Sequence, residues 1–152
     1  MSSDHATAAR LLLRSSTSGA LGTLTESGAP FISLVACLDD GAGRPLFLLS
    51  GLAEHTRNLK RDARASLLVA AESTKNSMDR PRLTLVGKLE WLDGADAERT
   101  KQQFAASLPE ARVWVTLADF KSARLVPEEL RYVGGFARAA SVSVDDYLAA
   151  PL

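Results

Sequence analysis

The chain of 152 residues holds one cysteine, Cys37, and two histidines, His5 and His55. A single cysteine excludes an intrachain disulfide. With two histidines it cannot complete a Cys/His zinc site without carboxylates, so no metal site is expected. Cys37 lies in the apolar run ISLVACL, where a thiol packs as a small hydrophobe. An excess of one charge is also missing: 18 Lys+Arg balance 18 Asp+Glu. That balance argues against a general nucleic-acid binder and leaves room for a local basic pocket. No secretory apolar segment opens the chain, and no apolar run approaches the ~20 residues of a membrane helix. A cytoplasmic protein with no membrane or nucleic-acid partner is the default expectation. There is no phosphate loop of the GxxxxGK[ST] type, no GxGxxG fingerprint, no suggestive carboxylate pair and no Ser-His-Asp order. Hydrolase, kinase and nicotinamide-dehydrogenase readings gain nothing.

What remains is an ordinary globular composition, 46% hydrophobic and 24% charged, in a length that suits one domain over residues 1–152. Helices are expected at 4–14, with Asp4 as cap, at 54–61, and at 96–107, with Asp96 as cap and Pro109 as stop. A closing helical turn over 143–149 would be capped by Ser143. Strands are expected at 19–25, 31–38, 46–49, 65–71 and 82–92, with Gly87 marking a bulge. Residues 114–120 lead into further strands at 121–126 and 130–133, separated by a turn at Pro127-Glu128-Glu129. The segment 72–81 is polar, and Gly134-Gly135 is a break. Gly19, in GALGTLT, is where another backbone would approach closely. Six or seven strands joined mostly by turns indicate a mainly β (α+β) antiparallel barrel with peripheral helices; a doubly wound parallel sheet would need more crossover helices.

The most informative stretch is 46–70, LFLLSGLAEHTRNLKRDARASLLVA. Apolar runs flank Ser50, His55, Thr56, Arg57, Asn58, Lys60, Arg61 and Arg64. A strand hands over to a helix start there, and free N–H groups with the helix dipole favour an anion such as phosphate. Each side chain has a plainer role open to it. Arg57 can be an exposed helix residue, Thr56 a cap, Asn58 a partner for turn backbone, and His55 a structural hydrogen bonder. Arg82 opens an apolar strand, where it must snorkel or meet an anion. Lys60, Arg61 and Arg64 read as a solvated face, and Trp91 and Trp114 as core or interface anchors.

The ordered motifs GALGTL, GAPFISLVACL, LFLLSGLAEHTRNLKRDARASLLV, PRLTLVGKLEWL and RYVGGFARA resemble the pyridoxamine 5′-phosphate oxidase-like FMN-binding split barrels, and within them the haem-utilisation branch. The resemblance spans roughly residues 8 to 150. It implies a six- to seven-stranded split β-barrel, a homodimer, and FMN at the dimer interface. It places the strand carrying Ser33, Leu34 and Val35 along the flavin ring. It assigns Ser50, Gly51, His55, Thr56, Arg57, Asn58 and Arg82 to the phosphate side of the cofactor. The Gly134-Gly135-Phe136-Ala137-Arg138 loop would lie near the partner's flavin site.

Two departures stand out. The oxidases carry an arginine and a lysine on the strand equivalent to 31–38, which is uncharged here. The haem-degrading members bind iron through a histidine toward the C-terminus, and no histidine follows His55 in this sequence. The expected function is a homodimeric FMN-dependent oxidoreductase acting with a small-molecule or electron-donor substrate, the flavin supplying the redox chemistry. The alternatives are a haem-utilisation or haem-degrading protein, or a non-catalytic flavin- or haem-binding module.

Overall fold

The computed structural model describes residues 2–72, 77–135 and 138–152. Phe136 and Ala137 of the expected partner-facing loop lie outside them, as do residues 73–76 of the polar segment.

The chain runs α1 (Ser2–Ser15), β1 (Ser18–Leu24), β2 (Pro30–Ala36), β3 (Leu38–Asp39), β4 (Pro45–Ser50), α2 (Glu54–Arg61), β5 (Arg64–Ala70), a 3-10 turn (Ser77–Asp79), β6 (Arg82–Trp91), α3 (Gly94–Ser107), α4 (Ala111–Trp114), β7 (Phe120–Val133), β8 (Ala139–Val142) and α5 (Val144–Ala149). The strands form one eight-stranded antiparallel sheet in the order β2-β1-β5-β6-β7-β4-β3, with β8 added on β7. The sheet curls until β2 approaches β4. The two form no ladder with each other, and the barrel stays split along that seam.

Alternation explains the curl. One face of β1, β5, β6 and β7 buries Leu21, Leu67, Val69, Leu83, Leu85 and Leu125, closed off by Leu13 of α1 and Tyr147 of α5. β4 is buried along most of its length. Phe47 and Leu49 enter this main core, while Leu46 and Leu48 enter a second cluster with Phe104 of α3 and Ala111 of α4. A strand covered on both sides reads as a continuous apolar run, hence PLFLL. Gly19 is approached as its sequence context suggested: a Cβ there would lie 2.7 Å from the Leu68 carbonyl oxygen.

β7 differs from its expected form. The turn at Pro127-Glu128-Glu129 is instead a bulge inside one 14-residue strand. Val86 pairs with Glu129 and Gly87 with Pro127, so Glu128 faces no partner. A proline, which cannot donate to the ladder, is accommodated at such a site. Opposite it, a Cβ on Gly87 would fall 2.0 Å from the Val126 carbonyl oxygen, so the expected irregularity at Gly87 is the other half of this bulge. A helix over Ala111–Trp114 precedes the stretch that leads into β7 at Phe120, and the short strands β3 and β8 are additional. α3 starts before Asp96, which pairs with Arg99 instead of capping. Ser143 does cap α5, accepting from the Asp146 N–H at 3.1 Å.

Candidate functional site

The end of β4 and the start of α2 form a corner, and its polar groups are already engaged with one another. Ser50 Oγ donates to Asp119 Oδ2 at 3.1 Å and accepts from the Leu52 N–H. The Gly51 N–H donates to the Asp119 carbonyl at 2.7 Å. Thr56 is fully buried, and its hydroxyl donates to the Ser50 carbonyl at 2.5 Å. Asn58 is fully buried too; its amide donates to Thr23 Oγ1 at 3.0 Å and its oxygen accepts from Arg61 at 2.8 Å. Arg57 is exposed and paired with Glu54 at 2.6 Å, which holds that carboxyl below its usual range. Arg82 sits at the start of β6 against Val133, whereas Ser50 pairs with Phe120. The two therefore lie at opposite ends of β7, roughly 40 Å of extended chain apart.

Within one chain these positions leave Ser50, Thr56 and Asn58 engaged with protein groups and Arg82 at the other end of β7. Thr56 and Asn58 turn inward because the short helix α2 uses them to fasten itself to β4 and β1. Arg57 points away with its salt partner. The anion beside Ser50 is a carboxylate of the protein, and a phosphate brought to the same hydroxyl would meet like charge.

A different feature is assembled beside the corner. A recess of about 260 Å³ opens at the seam, lined by Leu34, Val35, Leu48, His55, Trp114 and Phe120, with Ser50 at its edge. The Trp114 and Phe120 rings stack with centroids 6.2 Å apart and planes 4° from parallel. Ser33 Oγ and His55 Nδ1 are hydrogen-bonded at 3.1 Å. His55 Nε2 is enclosed and has no hydrogen-bond partner. Burial lowers the proton affinity of the imidazole, so His55 is neutral near pH 7. The structure thus brings Ser33, Leu34, Val35, Ser50 and His55 together and leaves Arg82 elsewhere. Trp114, Phe120 and Asp119 were not read as site residues. They follow His55 by some sixty positions, and only the packing of α4 and the start of β7 on β4 delivers them.

On the far side of β2 an apolar stripe faces outward. Ile32 is 69% exposed, Leu34 82% and Leu68 42%. Ala20 sits between Leu34 and Leu68 in register, and Gly22 beside Ile32. Arg82 and Val86 continue the same face on β6. Among the described residues no helix is long and apolar enough to cross a membrane.

A family model described as "CREG, beta-barrel" matches residues 1–149. The chain is 33% identical over 149 residues to the non-canonical heme oxygenase HOZ, chloroplastic, of Arabidopsis thaliana, covering 93% of this chain and 45% of that protein. The structure of a heme binding protein from Mycobacterium smegmatis superposes with TM-score 0.89 at 32% identity, over 96% of this chain and 60% of that one. The chain thus spans about half the length of these relatives. A Clostridium acetobutylicum protein of the pyridoxinephosphate oxidase family shares the fold, with TM-score 0.72 at 17% identity over 95% of this chain and 98% of that one.

Proposed function

The chain belongs to the CREG beta-barrel family, and from that premise we propose that it is a haem-binding protein whose site is the recess between β2, β4 and α4. The observation that carries this reading is the aromatic, apolar recess with a histidine on its wall. Such a surface suits a flat, largely apolar ring better than a sugar or a nucleotide phosphate. Two relatives at 32% and 33% identity, named for heme, support it. The recess, at about 260 Å³, is smaller than the ~300–1,000 Å³ of sites that enclose a whole ligand. The ring would therefore lie across its mouth over Leu34, and the remaining cover would come from a second copy. A homodimer through the outward stripe of β2, β1 and β5 is part of the proposal: contiguous exposed apolar surface of this kind marks an association site. When bound, haem supplies iron chemistry, either as cargo or as the substrate of its own oxidation. The protein's residues supply the apolar wall, the imidazole and the exclusion of water.

An FMN-dependent oxidoreductase is the second reading. It is favoured by one observation: Arg82 lies on the outward face, the same face through which the proposed dimer forms. It lacks the phosphate cradle within one chain. Titrating the purified protein separately with haemin and with FMN, then passing each mixture through gel filtration, decides between them. Haem retention with a Soret band is expected. Flavin retained without haem would establish the second reading, and retention of neither would overturn both.

A further inference from the structure

Resting on the haem reading and going beyond it, we propose that His55 is the protein's own ligand to the haem iron, through Nε2, and that Ser33 is the positioning residue that holds the imidazole for it. In a folded interior nearly every enclosed polar atom has a partner, and His55 Nε2 has none. The other ring nitrogen is engaged: Ser33 Oγ lies 3.1 Å from Nδ1. With Nδ1 protonated and donating to Ser33, Nε2 is left as a bare lone pair. This is the arrangement in which metal-bound histidines are found, one nitrogen on the metal and the other tied to a fixed acceptor.

The surroundings select the kind of metal. No group of three or more His, Cys, Asp or Glu side chains able to hold an ion occurs among the described residues. One imidazole cannot hold a bare divalent ion such as zinc, which takes three or four protein ligands. It is enough for iron whose four equatorial positions are filled by a macrocycle. The alternative donors are badly placed. Cys37 is fully buried, and burial pushes its thiol up to about 12, so it stays protonated. His5 lies on α1 beside the Tyr132 ring, 6.1 Å between centroids, and does not line the recess. Tyr147 is fully buried and donates to the Gly43 carbonyl. Leu34 stands exposed at the rim of the recess, and Trp114 lines its wall beside His55.

The test is a ferric haemin titration of the full chain followed by absorption and electron paramagnetic resonance, with His55→Ala, His55→Gln, His5→Ala and Ser33→Ala alongside. Wild-type protein should give the signature of imidazole-ligated iron. Both His55 variants should lose it and bind at least ~10-fold more weakly, and free imidazole should restore the signature to His55→Ala. His55→Gln retains a hydrogen-bonding group beside Ser33, and melting curves for both variants separate lost ligation from lost fold. His5→Ala should match wild type. Ser33→Ala should keep histidine ligation while shifting the iron–imidazole vibration and weakening binding by about tenfold. A wild-type spectrum from folded His55→Ala or His55→Gln, or a loss that tracks His5 instead, overturns the assignment while haem binding stands. A wild-type protein that takes up no haemin overturns both this inference and the haem reading.

Discussion

Asn58 reads in the sequence as a candidate ligand contact and is in the structure a buried clasp between α2, β1 and Arg61. Thr56 has the same history, and both were plausible because a hydroxyl or amide at a helix start serves a ligand and a backbone equally well. What decides between them is which way the helix is rolled, and that is set by tertiary burial of Thr56, Asn58 and Leu59 rather than by local pattern. His55, one position before Thr56, faces the recess for the same reason. Titration of these side chains shapes stability. Burial lowers the proton affinity of His55, so the unfolded chain binds the proton more readily. Its contribution is therefore complete above the ordinary value of 6.5 and is lost as pH falls below that. Cys37 and Tyr147 are shifted upward by burial, so their contribution is complete below their ordinary values and is lost as pH rises past them, beginning near 9.0 for the thiol. Melting temperature should decline on both flanks, and Cys37→Val should soften the alkaline decline in a pH series. An alkaline limb unchanged in that variant would show that Cys37 is not among its causes.

At the scale of elements, α2 over 54–61 and the start of β6 at Arg82 were legible to the residue, because turn and charge signals bracket them. β7 was not. Pro127 followed by two glutamates carries every mark of a turn, and only pairing with β6 on one side and β4 and β8 on the other keeps the strand continuous. Its burial shows the device at work. Ala123, Leu125 and Pro127 are buried before Glu128; Leu130 and Tyr132 are buried after it. The inward phase changes from odd to even positions across one extra residue. Deleting Glu128 should therefore keep every side chain on its proper face and cost about 1–3 kcal/mol, from lost curvature alone. Deleting Val126 also keeps Leu130 and Tyr132 in phase with Leu125 but turns Pro127 outward and the Glu128 carboxylate into the core, and should abolish a cooperative melt. Equal damage from the two deletions, in denaturant titrations, would refute this account of the bulge.

For the molecule as a whole, the antiparallel barrel with peripheral helices was readable from short connections and alternating strands. The seam recess was not, since its walls come from β2, β4, α2, α4 and β7, and no local window of sequence contains them. The outward stripe was written in PFISLVA, a strand apolar on both faces, and a strand of that kind needs cover on both. Leu34→Asp should convert the proposed dimer to a monomer in light scattering and, by uncovering the recess, weaken haem retention. A wild-type chain that is monomeric at micromolar concentration would exclude the dimer. One contact set within this architecture ties α1 to α5. Arg10 of α1 donates to the carbonyls of Tyr147 and Leu148 and to that of Gly41, and its guanidinium lies 5.6 Å from the centre of the Tyr147 ring. Tyr147 closes onto the first core from α5. During synthesis α1 thus waits 137 positions, until Tyr147 and Leu148 emerge, before its buried cation has all of its acceptors. At about 5–20 residues per second, that leaves an incompletely covered barrel for many seconds on the ribosome, the interval in which a chaperone has most to do.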